Sequence, residues 1–192
     1  MQQIKRFLDI VFSFTALIAL SPLLLFIACR TLFSSKGGII YTQQRIGRNG
    51  VPFLIYKFRS MYADAEQNGP VLSGPNDDRI TPWGKKMRKW KLDELPQLWN
   101  ILIGDMSLVG PRPERKYYID QLVQVAPRYP ELLSVKPGLT SLGMVRFGYA
   151  SSVPEMAERM QYDLQYMDQL SLTLDLRIIF QTLRIILSGK GK

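Results

Sequence analysis

The sequence contains no histidine and a single cysteine, Cys29. Without histidine, the chain has no Ser-His triad, no histidine general base and none of the common zinc sites that use imidazole ligands. One cysteine, lying in an apolar run, excludes a disulfide framework and a Cys-x-x-Cys site. Carboxylates, hydroxyls, lysines and arginines are therefore the groups left for catalysis.

The chain also lacks the glycine-rich loops that often bind phosphate. It has no G-x-x-x-x-G-K-[ST] loop and no G-x-G-x-x-G turn, and it has no repeats. Yet it is basic, with 25 Lys+Arg against 16 Asp+Glu and a formal charge of +9. This excess indicates an anionic partner: nucleic acid, anionic lipid headgroups or a phosphorylated substrate. At 192 residues, we expect one domain.

Residues 10–29, IVFSFTALIALSPLLLFIAC, contain no charged side chain. Twenty helical residues would reach roughly 30 Å, the thickness of the hydrocarbon core of a bilayer. Three interpretations compete: a cleaved signal peptide, a spanning helix, and a re-entrant helix that dips into one leaflet and returns. The signal peptide is disfavoured because the apolar run is long and no A-x-A-like site follows it.

The Ser21-Pro22 pair slightly favours re-entry over a spanning helix. Proline removes one backbone hydrogen bond, clashes with the preceding turn and kinks a helix, here near its middle. Both flanks of the run are basic, and positive residues favour the cytoplasmic side of a membrane. These flanking residues are Lys5, Arg6, Arg30 and Lys36. Neither end of the segment is therefore an obvious candidate for export.

The segment after the apolar run predicts two short strands, at residues 39–43 and 53–58, joined by a hairpin turn at Asn49-Gly50. Residues 62–82 are polar and rich in Gly-Pro pairs, so they predict a surface loop. A basic helix, a break and a second helix that begins at or near Pro96 follow. A proline-locked loop then leads into another helix, and residues 134–155 are interpreted as loop and extended chain.

The C-terminal segment LTLDLRIIFQTLRIILSGKGK predicts a helix with one polar stripe. Arg177, Gln181, Arg184 and Ser188 recur at steps of four, three and four, and most other positions are apolar. Two interpretations stay open. One is a core helix with a solvated stripe, and the other is a helix that lies in the membrane interface with its cations at headgroup level.

Two adjacent carboxylates, Asp93 and Glu94, lie among apolar residues in KLDELPQLWN. We expect them near the start of the helix that begins at Pro96, where they would diverge by about 100°. One interpretation is an acidic helix cap. The other assigns different roles to the two, one as nucleophile and one as its orienting, metal-holding or proton-holding partner. Five basic residues precede the pair, too many for capping alone: Lys85, Lys86, Arg88, Lys89 and Lys91.

Further cations are candidates for binding phosphate. They are Lys57 and Arg59 in YKFRSM, Arg79 in the polar loop, and Arg112 in GPRPE. Arg112 is the most informative, because the flanking prolines fix its backbone and its guanidinium fork matches phosphate bidentately.

Taken together, these stretches resemble the bacterial sugar transferase family, the monotopic phosphoglycosyl transferases that start glycan assembly on undecaprenyl phosphate. The resemblance covers nearly the whole chain, from KRFLDIVFSFTALIALSP through QQRIGRNGVPFLIYKFRSM to the C-terminal helix. LDELPQLWN followed by GDMSLVGPRP is the most specific part.

The resemblance implies an α+β, predominantly helical fold. Residues 1–35 would form a re-entrant membrane helix broken at Ser21 and Pro22, and residues 36–192 a cytosolic catalytic domain with a small β-hairpin and several amphipathic interfacial helices. The protein would be monotopic, on the cytoplasmic face of the bacterial inner membrane. A homodimer is possible, and no nucleic acid is expected as a partner.

The resemblance also implies a chemistry. The aspartate matching Asp93 attacks the β-phosphate of a UDP-sugar, UMP leaves, and polyprenyl phosphate takes the phosphosugar from the covalent intermediate. Glu94 completes the dyad, and Mg²⁺, with Asp93 as its expected ligand, offsets the charge of the diphosphate. The candidate substrate-binding residues are Lys57, Arg59, Arg79, Arg88, Arg112, Pro113 and Glu114.

Two departures from the family pattern, Ser141 and Met144, lie in the loop after VKPGLT, where many members have Gly and Gln. Glucose or galactose 1-phosphate is the expected cargo, and an N-acetylated or dideoxy sugar stays open. The alternatives are a catalytically silent scaffold of a glycan assembly complex and a membrane-anchored nucleic-acid binder.

Overall fold

Helices dominate the chain in the computed structural model, which describes residues 2–67, 69–74 and 77–189. The helices of the described part are α1 Gln2–Ala19, α2 Ser21–Leu32, α3 Pro82–Lys89, α4 Gln97–Ile103, α5 Lys116–Val125, α6 Leu142–Arg146, α7 Val153–Asp168 and α8 Leu172–Leu187. The strands are β1 Ile40–Ile46, β2 Pro52–Phe58, β3 Ser107–Val109 and β4 Gly138–Thr140. The predicted α+β, predominantly helical fold with a small hairpin is confirmed.

The N-terminal apolar run forms two helices, α1 and α2, bent by 64°. Leu20 lies between them, and Pro22 stands in the first turn of α2, where its missing N–H would have no intrahelical partner. Ser21 and Pro22 thus open the second helix of the bent pair. Within the described residues, no single helix has both the length and the apolar composition that a membrane crossing needs, whereas the bent pair meets both criteria together.

Polar contacts attach the N-terminal half of α1 to the rest of the chain. Lys5 Nζ lies 2.5 Å from Asp175 Oδ2 on α8. Arg6 donates to two backbone carbonyls in the last turn of α4 at 2.5 and 2.8 Å, which satisfies acceptors that a helix end leaves free. Asp9 is buried, and its Oδ1 accepts from the amide of Leu108 at 2.9 Å. The direction of α1 is therefore set by three separate elements.

Apolar side chains remain exposed on the outer faces of α1 and α8. On α8 they step by four, three and four: Leu176, Phe180, Leu183 and Leu187, each at least half exposed. The opposite face of α8 is buried through Ile178 and Asp175. The predicted polar residues Arg177 and Arg184 are exposed and directly follow Leu176 and Leu183 in the chain. Helix α8 is thus not a core helix with a simple solvated stripe, because an apolar stripe is exposed beside its cations.

The antiparallel pair β1–β2 confirms the predicted hairpin, with Gln43 opposite Ile55. A short 3-10 turn at Arg48–Gly50 connects the strands, and Asn49 has a positive φ of 57°, a conformation that asparagine tolerates better than most residues. Strand β1 extends to Ile46, three residues beyond the predicted end.

A second pair of strands was not predicted. β3 and β4 run parallel, with Ser107 opposite Gly138 and Val109 opposite Thr140. Gly138 permits the approach, because a Cβ there would lie 2.1 Å from the amide nitrogen of Gly110. The prediction of loop and extended chain for residues 134–155 is confirmed at β4, but part of this range is helical. Helix α6 lies within it, and Ser141 caps that helix by accepting from the amide of Met144 at 3.0 Å.

Asn100 fixes α4 against the hairpin. The residue is fully buried, and its side chain accepts from the amide of Tyr56 at 3.1 Å and donates to the carbonyl of Leu54 at 2.7 Å. A buried amide that satisfies two backbone groups of a strand locks the position of its helix. The segment that carries Asp93 and Glu94, immediately before α4, is thereby held beside β2.

Candidate active site

Asp93 and Glu94 lie in a 3-10 turn, Leu92–Glu94, between α3 and α4. Lys91 enters this turn with a φ of 56°, in the left-handed region. Helix α4 begins only at Gln97, with Pro96 at its N-cap and no side-chain cap. The two carboxylates therefore lie before the helix rather than in its first turn, and the interpretation of an acidic helix cap is wrong.

Cations surround the carboxylate of Glu94. Its Oε1 lies 2.7 Å from Lys57 Nζ and 3.8 Å from Arg112, and its Oε2 lies 3.2 Å from Lys91 Nζ. Burial opposes ionisation of Glu94, but the combined charges of Lys57, Lys91 and Arg112 hold its pKa well below the usual range. Glu94 is therefore an ionised anchor for three cations.

Asp93 has different surroundings, although it is the next residue in the chain. Its side chain is buried, and its Oδ1 has no hydrogen-bond partner. Burial, and then the negative charge of Glu94, raise the pKa of Asp93 above that of an ordinary aspartate. A more basic carboxylate with an uncommitted oxygen is suited to attack an electrophile, and it is equally suited to bind a cation.

Both carboxylates line a cavity of about 230 Å³. Seven cationic side chains and four carboxylates contribute to its wall. The cations are Arg45, Lys57, Arg59, Arg88, Arg112, Arg115 and Arg159. The excess of positive charge among the described residues of this wall favours a bound anion such as a phosphate or diphosphate.

The structure brings together most of the predicted site residues at this cavity. Lys57 and Arg112 face Glu94, as described above, and Arg88 donates to the hydroxyl of Ser60 at 2.9 Å. Arg59 also lines the cavity, but one of its terminal nitrogens donates to the carbonyls of Ser35 at 2.6 Å and Thr31 at 3.3 Å. Arg59 therefore ties strand β2 to the end of α2.

Glu114 and Pro113 support the cavity wall. Glu114 Oε1 accepts from Arg159 at 2.5 Å, and its Oε2 lies 3.4 Å from Arg45. The carbonyl of Pro113 also accepts from Arg45, at 3.2 Å. Because the Glu114 carboxylate is bound by two arginines, it holds these cations in place at the rim of the site.

Arg79 does not line this cavity. Its guanidinium donates to Asp77 at 2.8 and 2.6 Å and to the carbonyl of Ala65 at 3.3 Å. These contacts fold the polar loop back on itself. A direct contact between Arg79 and a substrate stays a prediction.

Cavity residues that were not predicted from the sequence include Arg45, Arg115, Arg159 and Tyr149. Arg115 pairs with Glu66 across 49 positions of the chain, at 2.7 Å, and Arg159 reaches Glu114 across 45. Single arginines at such separations have no local pattern to mark them. Two signals were available: Arg115 adjoins the GPRPE motif, and Arg45 lies in the QQRIGRNG stretch that carries part of the family resemblance.

The side chains at the cavity offer few ligands for Mg²⁺. Among the described residues, no group of three or more Asp, Glu, Cys or His side chains could hold a metal ion. Glu94 is taken up by its cations, whereas the buried Oδ1 of Asp93 is uncommitted. Mg²⁺ is often held by one or two carboxylates together with substrate phosphates and water. Asp93 therefore fits as a single protein ligand, with the other ligands coming from a diphosphate.

A sequence profile of the bacterial sugar transferase family matches residues 1–189. The chain belongs to the bacterial sugar transferase family. The resemblance that LDELPQLWN and GDMSLVGPRP carry is thus confirmed.

The curated relatives of the chain include two that are named as undecaprenyl-phosphate transferases. The chain is 40% identical over 188 residues to the UDP-N-acetylgalactosamine-undecaprenyl-phosphate N-acetylgalactosaminephosphotransferase of Aeromonas hydrophila, covering 98% of this chain and 44% of the relative. It is 41% identical over 180 residues to the UDP-glucose:undecaprenyl-phosphate glucose-1-phosphate transferase of Klebsiella pneumoniae, covering 93% and 39%. It thus spans less than half the length of these two. The exopolysaccharide production protein PSS of Rhizobium leguminosarum bv. phaseoli is 37% identical over 198 residues, with 98% of each covered.

Proposed function

We propose that the chain transfers a sugar 1-phosphate from a UDP-sugar to undecaprenyl phosphate and releases UMP. The observation that carries the proposal is the uncommitted oxygen of Asp93 at the wall of a cationic cavity. Family membership and the names of the relatives support the same substrates. As the first membrane step of glycan or exopolysaccharide assembly, the reaction would join a water-soluble donor to a lipid acceptor.

In the first step, Asp93 attacks the β-phosphorus of the UDP-sugar. A bond forms between a carboxylate oxygen and phosphorus, and the phosphoanhydride bond breaks with its electron pair leaving on UMP. An aspartyl-phosphosugar remains on the enzyme. No proton moves in this step, which is consistent with a cavity wall that contains no histidine.

In the second step, a phosphate oxygen of undecaprenyl phosphate attacks the same phosphorus. The bond to Asp93 breaks, the carboxylate is restored, and undecaprenyl diphosphate-sugar leaves. The two half-reactions share one site, so we expect ping-pong kinetics, with UMP released before the acceptor reacts.

The cations around Glu94 offset the charge that a carboxylate meets when it approaches a diphosphate. Lys57, Lys91 and Arg112 lie within 4 Å of Glu94, and their remaining donors would contact the phosphates. When bound, Mg²⁺ would neutralise part of the diphosphate charge, with Asp93 as its protein ligand. Glu94 stays ionised and keeps the three cations in position.

The site would work at the cytoplasmic face of the bacterial inner membrane. Residues 1–35 would enter one leaflet as a re-entrant segment, and residues 36–192 would form the interfacial catalytic domain. The bend between α1 and α2 and the exposed apolar stripe of α8 support this arrangement. Exposed leucine and phenylalanine beside arginine are typical of helices that lie in a membrane interface.

Replacing Asp93 tests the proposed function. Asp93→Asn removes the nucleophile while preserving the shape of the side chain, so UMP release should fall to background for every UDP-sugar of a panel. Asp64→Asn is the matched control, because Asp64 is exposed and does not line the cavity. Mass spectrometry of the unchanged protein, incubated with donor alone, should find the phosphosugar on Asp93. Near-normal UMP release by pure Asp93→Asn protein would rule out this mechanism.

The same panel identifies the sugar. The relatives from Aeromonas hydrophila and Klebsiella pneumoniae are named for different sugars at nearly the same identity, so overall identity does not choose between the two sugars. The UDP-sugar with the highest kcat/KM for UMP release is the donor.

A further inference from the structure

Tyr149 contacts two of the three cations that surround Glu94. It follows Gly148, just beyond α6, and its ring lines the cavity. Lys91 donates to the Tyr149 hydroxyl, and its Nζ lies 4.3 Å from the ring centroid. The guanidinium carbon of Arg112 lies 5.5 Å from the same centroid. One aromatic side chain thus touches cations from two distant segments.

Glu94 alone holds these two cations less closely than it holds Lys57. Its oxygens lie 3.2 Å from Lys91 and 3.8 Å from Arg112, against 2.7 Å from Lys57. At 3.8 Å an ion pair has no short hydrogen bond to fix its direction. Long, flexible side chains of this kind need a second contact to keep one conformation, and an aromatic face attracts both lysine and arginine.

The segment that carries Tyr149 is itself anchored. The amide of Gly143 donates to Asp163 on α7 at 2.8 Å, and the amide of Gly148 donates to the carbonyl of Gly143 at 3.1 Å. Gly148 has a φ of 96°, which lets the chain turn sharply before Tyr149. The ring is therefore presented to the cavity from a fixed backbone.

We propose that Tyr149 is a positioning residue that keeps Lys91 and Arg112 together beside Asp93 and Glu94, so that both cations meet the diphosphate of the donor. This inference deepens the proposed function and depends on it for the identity of the donor. The ring would hold Arg112 through its face, and the hydroxyl would hold Lys91 as a hydrogen-bond acceptor. Tyr149 would thus act through the two cations, without bonding to the reacting phosphorus.

Binding of inorganic diphosphate, measured by titration calorimetry on the full chain in detergent, tests the proposal without turnover. Tyr149→Leu removes ring and hydroxyl, and we expect binding about tenfold weaker. Tyr149→Phe keeps the ring, and we expect a loss of about two- to threefold. Tyr117→Phe is the matched control, since Tyr117 is exposed and does not line the cavity. In UMP release, KM for the donor should rise in the same order, with a smaller change in kcat.

A double-mutant cycle separates positioning from a general structural effect. In a Lys91→Met background, Tyr149→Phe should cause no further loss of diphosphate binding, because the hydroxyl no longer accepts a hydrogen bond from residue 91. An equal loss in both backgrounds would overturn the proposal, as would unchanged binding by Tyr149→Leu. If Tyr149→Leu does not fold, the Tyr149→Phe cycle decides alone.

The failure of the proposed function can be distinguished from the failure of this inference. If the chain binds diphosphate but releases UMP from no UDP-sugar, the proposed function is contradicted, and the double-mutant cycle still tests the role of Tyr149. A chain that binds no diphosphate would contradict both.

Discussion

Asp93 and Glu94 are neighbours in the chain, yet their carboxylates make different contacts. Glu94 reaches the cations of β2, the 3-10 turn and the loop after β3, whereas Oδ1 of Asp93 is buried without a partner. A 3-10 turn has three residues per turn, so adjacent side chains diverge by roughly 120°. Because the two residues are adjacent in this turn, their side chains point in different directions and can take different roles.

Asp163 links the stability of the chain to pH. Its carboxylate lies on α7, is buried, and accepts from the amide of Gly143 at 2.8 Å. Burial raises its pKa to about 6, against the opposing effects of that amide and of Arg159. An aspartate of the unfolded chain has a pKa of about 3.9. The folded state thus binds this proton more tightly, and the stability that the proton contributes is full below about pH 4 and lost as the pH rises through about 6.

Asp163→Asn removes this titration while it keeps an oxygen to accept from Gly143. As the pH falls from 7 to 4, the unchanged protein should gain stability relative to the variant, by about 2 kcal/mol. Melting temperatures of both proteins, measured in one detergent across this range, give the difference. Asp120→Asn, at an exposed position, serves as control and should show little of it. A difference between Asp163→Asn and the unchanged protein that stays constant with pH would contradict the prediction.

Through a glycine, helix α3 closely approaches Ser60, two residues beyond the end of β2. A Cβ at Gly84 would lie 1.9 Å from the carbonyl oxygen of Ser60, which itself accepts from the amide of Thr81 at 3.0 Å. The same approach lets Arg88 reach the hydroxyl of Ser60. The spacing between α3 and β2 thus controls one of the cations of the cavity.

Gly84→Ala should force α3 away from Ser60 and lower the free energy of unfolding by about 2–3 kcal/mol. The contact of Arg88 should be lost with it, so UMP release should fall as well. Gly38→Ala is the matched control, because its Cβ would meet no atom closer than 3.7 Å. Denaturant unfolding in detergent measures both variants. Equal stabilities for the two would show that α3 can shift at no cost.

Elements with local signals were predictable from the sequence. Asn49-Gly50 located the hairpin, and Pro22 located the break in the apolar run. The parallel pair β3–β4 joins residues 31 positions apart, and its cause, the close approach at Gly138, has no pattern in the sequence. The same holds for the site. Asp93 stood out, whereas Tyr149 gains its importance only from Lys91 and Arg112, which lie far from it in the chain.

At the scale of the whole molecule, the proposed membrane attachment would depend on the bent pair α1–α2. A re-entrant pair keeps both ends on one side, whereas a spanning segment separates them. Single cysteines at Gln2 and Lys36, in a Cys29→Ser background, mark the two ends. We expect both to be protected from an impermeant thiol reagent outside intact cells and both to be labelled after lysis. Labelling of either one in intact cells would mean that the segment spans.

The polar attachments of α1 are all close to its N-terminus, at Lys5, Arg6 and Asp9. At the far end of the pair, Arg59, two residues from Lys57 in the cavity, donates to the carbonyl of Ser35, which follows α2. Both helices of the bent pair are thus bound by polar contacts to the part of the chain that carries Asp93 and Glu94. The bent pair would therefore enter the lipid with its geometry already fixed. Contacts within the protein, rather than contacts with lipid, would set the distance between the reaction centre and the acyl chains.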